Sequence, residues 1–130
     1  METAPGRGEG SRGLIRRIAA GLAAALLAAA AIGADPVPRM FVGTISDSEC
    51  GFDHARMKAQ HHLPDDLACT RDCCEKFKQE YVLADHASED VFQLDDQKRA
   101  SRFANRPVRV LGTLDEDSGS IRVMQIEPAR

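Results

Sequence analysis

Two glycine-centred segments constrain the fold of this chain more than any other feature. Residues 41–45 read F-V-G-T-I and residues 110–114 read V-L-G-T-L, so each places a glycine and a threonine between apolar side chains. A glycine inside a strand indicates a bulge or a sharp bend. Such bends let long strands coil tightly enough to close a small sheet on itself. The pattern therefore predicts two long strands of a small β-barrel.

The alternation of apolar and polar residues predicts three further strands and two helices. Turn residues separate the segments, and the helical segments repeat their apolar positions every three to four residues. We expect strands at residues 39–46, 81–84, 89–94, 107–114 and 120–126, with apolar alternation that breaks near Met124.

The helices are expected on either side of the central hairpin. One helix at residues 67–80, capped by Asp65 or Asp66, would follow a long polar loop at residues 47–66 that contains a turn of helix near residues 54–60. A shorter helix at residues 95–105 would turn Ala100 inward, together with Phe103 or Ala104. This order predicts a mainly β protein with α-helices that has the architecture of the OB-fold, a five-stranded barrel. An unrelated α+β sandwich is the alternative.

The first 34 residues are typical of a secretory signal peptide. Arg12, Arg16 and Arg17 precede an Ala/Leu-rich run at residues 18–32, which small residues follow. The run is shorter than the roughly 20 residues of a spanning helix. We therefore expect cleavage near Ala34 by either the general or the twin-arginine route, and no stable membrane anchor afterwards. A linker at residues 35–38 would then lead into one domain at residues 39–130.

The charge of the expected mature chain argues against nucleic acid as a partner. Cleavage would remove four of the 17 basic and two of the 20 acidic residues, which leaves 13 and 18 and a net charge of −5. Proteins that bind nucleic acid need a basic face. Base stacking needs aromatic side chains, and these make up 5% of the chain, with no tryptophan.

Chemistry-bearing residues concentrate in the stretch from residue 46 to residue 74, within a predicted Cys/His lobe at residues 47–80. The stretch holds all four cysteines and three of the four histidines. Cys69, Cys73 and Phe77 follow one another at four-residue intervals, which places them on the inner face of the predicted helix. Cys50 and His54 repeat that interval in the loop. Three thiolates and one imidazole form a tetrahedral ligand set that suits zinc, and soft sulfur also suits cuprous copper. Asp47 either closes a local turn or orients His54 from behind.

A disulfide is the competing interpretation of the same cysteines. Any two-bridge pairing needs one bond among Cys69, Cys73 and Cys74, and helical geometry disfavours such a bond. A single bridge from Cys50 to Cys69 or Cys73 has no such obstacle and would contribute on the order of 3 kcal/mol. A thiol-redox site at Cys69 and Cys73 is a third interpretation, in which the helix N-terminus lowers the pKa of Cys69. Cys74 either packs in the core or bridges a second chain.

The motifs also resemble those of a family. The pattern G-T-I-S-D-S-x-C-G-x-x-H, then C-T-x-x-C, a Tyr-Val-Leu strand and V-x-V-x-G-T, is similar to small exported bacterial proteins that share a domain of unknown function. The resemblance covers residues 41–126. It implies an OB-like fold and assigns Cys50, His54, Cys69 and Cys73 to the family's Cys/His pattern, while Cys74 and the His61-His62 insertion depart from it. It brings no established activity.

These features predict an exported binding or structural module, periplasmic or secreted, without an assigned catalytic residue. Its cysteine cluster would be stapled by a disulfide and able to bind zinc or copper, and its partner would be a metal ion or another exported protein. One alternative function is a periplasmic thiol-redox protein that uses Cys69 and Cys73. Another is a saccharide or peptide binder that uses the face of the barrel.

Overall fold

The computed structural model describes residue 33 and residues 35–130, where five strands close into one ring-shaped sheet. Its order is β1-β2-β3-β5-β4, and β4 returns to β1. Every pair is antiparallel except β3 with β5, which run parallel through Leu94 and Ile121. The predicted mainly β class is confirmed, while the predicted signal peptide falls on residues outside the described part. The strands are β1 Arg39–Asp47, β2 Tyr81–Asp85, β3 Asp90–Leu94, β4 Pro107–Asp115 and β5 Ser120–Pro128.

Three short helices lie in two of the connections. Helices α1, Ala55–His61, and α2, Asp66–Glu75, join β1 to β2. Helix α3, Gln97–Ala100, continues into a 3-10 turn, Ser101–Phe103, between β3 and β4. The predicted helix between the third and fourth strands is confirmed. The prediction of one helix after β1 was wrong, because the expected single turn near residue 54 is a complete short helix.

Helix α2 also ends earlier than the predicted residue 80. The Phe77 N–H bonds to the Asp72 carbonyl, and Gln79 N–H bonds back to the Cys73 carbonyl at 2.9 Å, so the chain leaves the helix and turns. Lys78 takes a positive φ of 59° in that turn. The turn brings Glu80 beside β1, where Tyr81 opens β2. Phe77 therefore lies past the helix and is 41% exposed, so its predicted place on the inner face was wrong.

The two mid-strand glycines stand where backbones approach closely. A Cβ atom at Gly43 would lie 2.4 Å from the carbonyl oxygen of Ala84, and one at Gly112 would lie 2.4 Å from that of Arg122. Gly43 lies just before Thr44, where the pairing of β1 passes from β4 to β2. These close approaches leave no room for a side chain, and the one at Gly43 lets a single long strand pair with two neighbours.

The main core fills the inside of the ring. Ala100 and Ala104 are buried against it, as predicted, with Phe103 partly buried beside them. The predicted break in the alternation of β5 is a register shift: Leu111 pairs with Gln125 and Gly112 pairs with Val123, which skips Met124. The core consists of Phe41, Ile45, Tyr81, Leu83, Leu94, Ala100, Ala104, Val108, Val110, Ile121 and Ile126.

A second, smaller core lies in the Cys/His lobe formed by residues 47–80. Met57 of α1 and Cys69 and Cys73 of α2 form it, with Cys50 and Leu63 partly buried against them. The apolar content of this core is small, since two of its three buried members are cysteines. The lobe is therefore held by sulfur-bearing side chains where an ordinary core has branched aliphatic ones.

Within the described residues, no helix combines the length and the apolar character that crossing a bilayer requires.

Gly43→Ala should destabilise the protein by about 2 kcal/mol, because the added methyl group meets a backbone oxygen that cannot move without breaking the β1–β2 pairing. Urea unfolding followed by circular dichroism measures this change. Val42→Thr is the control, since the neighbouring side chain is exposed and threonine keeps its shape. Equal stability of the two variants would show that the close approach at residue 43 does not constrain the fold.

Candidate metal centre

The candidate site begins at the C-terminal end of β1, which is buried. Ser46 and Asp47 are buried there, although the first residues of the strand are exposed. One carboxylate oxygen of Asp47, Oδ1, accepts hydrogen bonds from the N–H groups of Glu49, at 3.2 Å, and Cys50, at 2.9 Å. The local turn predicted for Asp47 is thus confirmed. It directs the chain back over the end of β1 and sets the position of Cys50.

The N-terminal parts of helices α1 and α2 carry the other ligand-type side chains. His54 occupies the N-cap of α1, where its carbonyl accepts from Lys58 N–H at 2.9 Å. Asp65 caps α2 as predicted, accepting from Ala68 N–H at 2.8 Å. The Lys58 ammonium pairs with the Asp66 carboxylate at 2.5 Å and ties the two helices together. This arrangement turns Cys69 and Cys73 of α2 toward the loop that carries Cys50.

The thiols and the imidazole converge in one place. The sulfur atoms of Cys50 and Cys69 lie 3.8 Å apart, and these two residues and His54 offer three donor atoms within 4.8 Å of one another. Cys73 belongs to a second group of that size, with Cys50 and Asp47. The structure thus brings together the residues that the spacing singled out. Cys50 is the residue common to both groups.

The imidazole of His54 lies between Ser46 and Asp47. Its Nε2 is 3.2 Å from the Ser46 hydroxyl oxygen, and its Nδ1 is 3.5 Å from Oδ2 of Asp47. Ser46 also donates to the carbonyl oxygen of Gly51 at 2.6 Å. Sequence reasoning missed Ser46, because its role depends on Gly51, whose positive φ of 57° brings that carbonyl within reach.

Burial controls the protonation of the thiols. Cys69 and Cys73 have no exposed surface. Burial, and after it the negative charge of Asp47, raises the pKa of Cys50 and raises the pKa of Cys73 to about 12. Burial is also the main cause that raises the pKa of Cys69. Without a cation beside them, these thiols are protonated at neutral pH, so a bound metal would have to displace their protons.

These properties bear on the other two interpretations of the cysteines. All four cysteines are free thiols, and the 3.8 Å between the Cys50 and Cys69 sulfur atoms is well above the roughly 2.0 Å of a disulfide. The predicted bridge from Cys50 is therefore not formed in this structure. The redox interpretation required an exposed thiol with a lowered pKa. Cys69 is instead fully buried, and its pKa is raised.

The other candidate residues lie away from the cluster. Cys74 is partly buried and packs against the main core, which agrees with the first of its two predicted roles. The rings of His61 and Phe77 are in contact, with their centres 4.8 Å apart. His86 is exposed, and its ring contacts that of Phe52 edge-on, with the ring centres 5.1 Å apart.

Two cavities bear on ligand access. A cavity of about 230 Å³ has Ser46, Gly51 and His54 in its wall, so it reaches the cluster from one side. A cavity of about 640 Å³ lies over β1 and is lined in part by Arg39, Phe41 and Phe92.

Comparison of the chain with protein-family models, with curated proteins and with solved structures finds no match. The fold and the geometry of the cluster therefore carry the functional argument.

Raising the pH should destabilise the metal-free protein through Cys73. A pKa that is higher in the folded state than the ordinary 9.0 makes folding favour the protonated thiol. That contribution is complete below pH 9.0 and is lost as the pH rises toward about 12, at about 1.4 kcal/mol per pH unit for one such group. Urea unfolding between pH 8 and pH 11, with a chelator and a reductant present, measures this loss. The free energy of unfolding should fall less steeply with pH for Cys73→Ser than for the wild type. Parallel pH profiles would contradict the burial of that thiol.

Proposed function

We propose that this protein is an exported metal-binding module, which holds one transition-metal ion at Cys50, His54 and Cys69. A fourth donor comes from the second group that shares Cys50. The observation that carries the proposal is the convergence of three ligand-type atoms within 4.8 Å in a buried lobe. Cysteine and histidine side chains of this kind are the usual ligands of zinc, and also serve cuprous copper.

The distance between the two nearest sulfur atoms supports this assignment. Tetrahedral zinc with bonds to sulfur of about 2.3 Å places two sulfur ligands about 3.8 Å apart. The sulfur atoms of Cys50 and Cys69 stand at 3.8 Å. The ligands therefore need little rearrangement to accept a metal, which keeps the entropic cost of binding low.

The fold supports a role in presenting this lobe. We propose that the closed sheet is an OB-like barrel, because the strand order β1-β2-β3-β5-β4 and the helix between β3 and β4 agree with the predicted architecture. The membership in the family of exported bacterial proteins is part of the same proposal. In OB-folds the loops between strands commonly carry the binding residues, and here the β1–β2 connection is the long one.

The proposed site requires Cys50 and Cys69 to stay reduced, as they are in the structure, and not to form the predicted bridge. Closing the two sulfur atoms to about 2.0 Å would remove both as metal ligands. A metal site and this bridge therefore exclude each other. The intact mass of protein isolated from the periplasm, before and after reduction, decides which state the cell produces.

Reduced protein should bind one Zn²⁺ per chain, and binding should raise its midpoint of thermal unfolding, because the metal binds the folded state alone. Cys50→Ser, His54→Gln and Cys69→Ser should each lose most of this affinity. Native mass spectrometry gives the stoichiometry, and Co²⁺ absorption gives the sulfur-to-metal bands of the substituted site.

Cys74→Ser and His61→Gln serve as matched controls, because both residues lie within the lobe but outside the two groups of ligand-type atoms. Both should bind Zn²⁺ as the wild type does. Absence of stoichiometric metal in the reduced wild type, or equal loss in the controls, would overturn the proposed function.

A further inference from the structure

We propose that Asp47 is itself a ligand, so that the metal is held by Cys50, Cys69, Nδ1 of His54 and Oδ2 of Asp47, and that the ion is Zn²⁺ in preference to Cu⁺. This inference rests on the proposed function and names its fourth donor. It replaces the predicted role of Asp47, orientation of His54 from behind, and it leaves Cys73 outside the ligand set.

The first support is a pair of buried polar atoms without partners. Oδ2 of Asp47 and Nδ1 of His54 are buried, and neither makes a hydrogen bond. Asp47 has no exposed surface, and its other oxygen is already occupied by two backbone N–H groups. A buried carboxylate oxygen without a partner is costly. A cation beside Oδ2 would remove that cost.

Three of the five lysine and arginine side chains of the lobe pair with other carboxylates, and the remaining two, Arg71 and Lys78, are exposed. Arg56 pairs with Glu49, Lys58 with Asp66, and Lys76 with Asp72, each through a carboxylate nearer the surface. His54 is the basic side chain that faces Asp47. The charge beside Oδ2 of Asp47 therefore comes either from a proton on His54 or from a metal ion between the two residues.

The hydrogen bond of Ser46 determines where the His54 ring holds its proton. A serine hydroxyl has one hydrogen, and Ser46 donates it to the Gly51 carbonyl at 2.6 Å. Ser46 can then only accept from the ring, so Nε2 carries the hydrogen of the neutral imidazole. Nδ1 is left with a free lone pair that faces Oδ2 of Asp47. Ligand histidines are commonly held this way, with the second nitrogen donating to a neighbouring oxygen.

The separation of Nδ1 and Oδ2 fits a metal better than a proton. A hydrogen bond between a charged imidazole and a carboxylate would close to about 2.7–2.9 Å. Tetrahedral zinc with bonds of about 2.0–2.2 Å to nitrogen and oxygen holds those atoms about 3.4 Å apart. The observed distance is 3.5 Å. The 3.8 Å between the Cys50 and Cys69 sulfur atoms matches the sulfur–sulfur edge of such a site. Cys50 links the two pairs, because it is grouped with His54 and Cys69 on one side and with Asp47 on the other.

The donor set then selects the metal. A carboxylate and an imidazole with two thiolates suit zinc, which is of intermediate softness, whereas a set richer in soft sulfur favours cuprous copper. The predicted set of three sulfur atoms and one nitrogen would favour copper more. Asp47 is thus the residue that determines specificity, and Ser46 is a positioning residue that acts through His54.

X-ray absorption at the zinc edge of the Zn²⁺-loaded protein tests the ligand set directly. We expect two sulfur atoms at about 2.3 Å and two lighter atoms at about 2.0–2.2 Å. Three sulfur atoms and one lighter atom would overturn the inference and leave the proposed function intact. A protein that binds no metal would overturn both. This measurement needs no variant to fold.

Variants give the second test. Asp47→Asn keeps an oxygen for the two backbone donors but loses the charge, and it should weaken Zn²⁺ binding at least about 100-fold while changing Cu⁺ binding much less. Cys73→Ser should bind Zn²⁺ nearly as the wild type does. Asp53→Asn is the control, because Asp53 also accepts a backbone N–H in this loop but lies outside the cluster. Unchanged binding by Asp47→Asn together with loss in Cys73→Ser would overturn the inference.

The role of Ser46 can be tested by measuring which ring nitrogen of His54 carries the hydrogen. In the metal-free protein, ¹H–¹⁵N spectra of His54 should show the hydrogen on Nε2. Ser46→Ala should lose this preference and bind Zn²⁺ about 10- to 100-fold more weakly, while Ser46→Thr, which retains the hydroxyl, should recover both properties. A hydrogen on Nδ1 in the wild type would contradict the assignment.

Discussion

The structure depends on the double pairing of β1, because this strand closes the sheet and also begins the site. Its first part pairs with β4, its last part with β2, and Thr44 has a partner in each. A side chain at Gly43 would collide with the backbone of β2. The same closure buries the end of the strand, so Ser46 and Asp47 face inward. Buried polar side chains at that place destabilise the fold unless other groups bond to them.

The Cys/His lobe places ligand-type side chains beside these buried polar groups. The turn of Asp47 positions Cys50, α1 begins at His54, and α2 brings Cys69 to the same point. Few apolar side chains stabilise this region, and its core contains two cysteines. A metal ion bound there would link α1, α2 and the end of β1, and its positive charge would balance the buried carboxylate of Asp47. Folding of the lobe and binding of the metal are then coupled, as in other small domains with structural metal sites.

Much of this arrangement can be predicted from local patterns, and the rest depends on contacts distant in the chain. The repeated glycine pattern predicts the closed sheet, and the four-residue spacings predict the convergence of Cys50, His54 and Cys69. Helix α1 is harder to predict, since Met57 is its one buried side chain.

The end of helix α2 and the role of Ser46 also depend on contacts that are distant in the chain. The apolar spacing of α2 continues through Phe77, but the chain has to turn back so that β2 can pair with β1. Ser46 has no signal of its own in the sequence, because its partners are a carbonyl in a left-handed turn and a ring nitrogen on the next helix. Tertiary contacts determine these features, and no local periodicity reports them.

Anomalous diffraction at the zinc edge from crystals of the reduced, Zn²⁺-loaded protein tests the central claim most directly. The account predicts a single peak within bonding distance of the sulfur atoms of Cys50 and Cys69 and of a ring nitrogen of His54. A peak elsewhere, for example at His61 and His62, or no peak in a protein with the same fold, would contradict it.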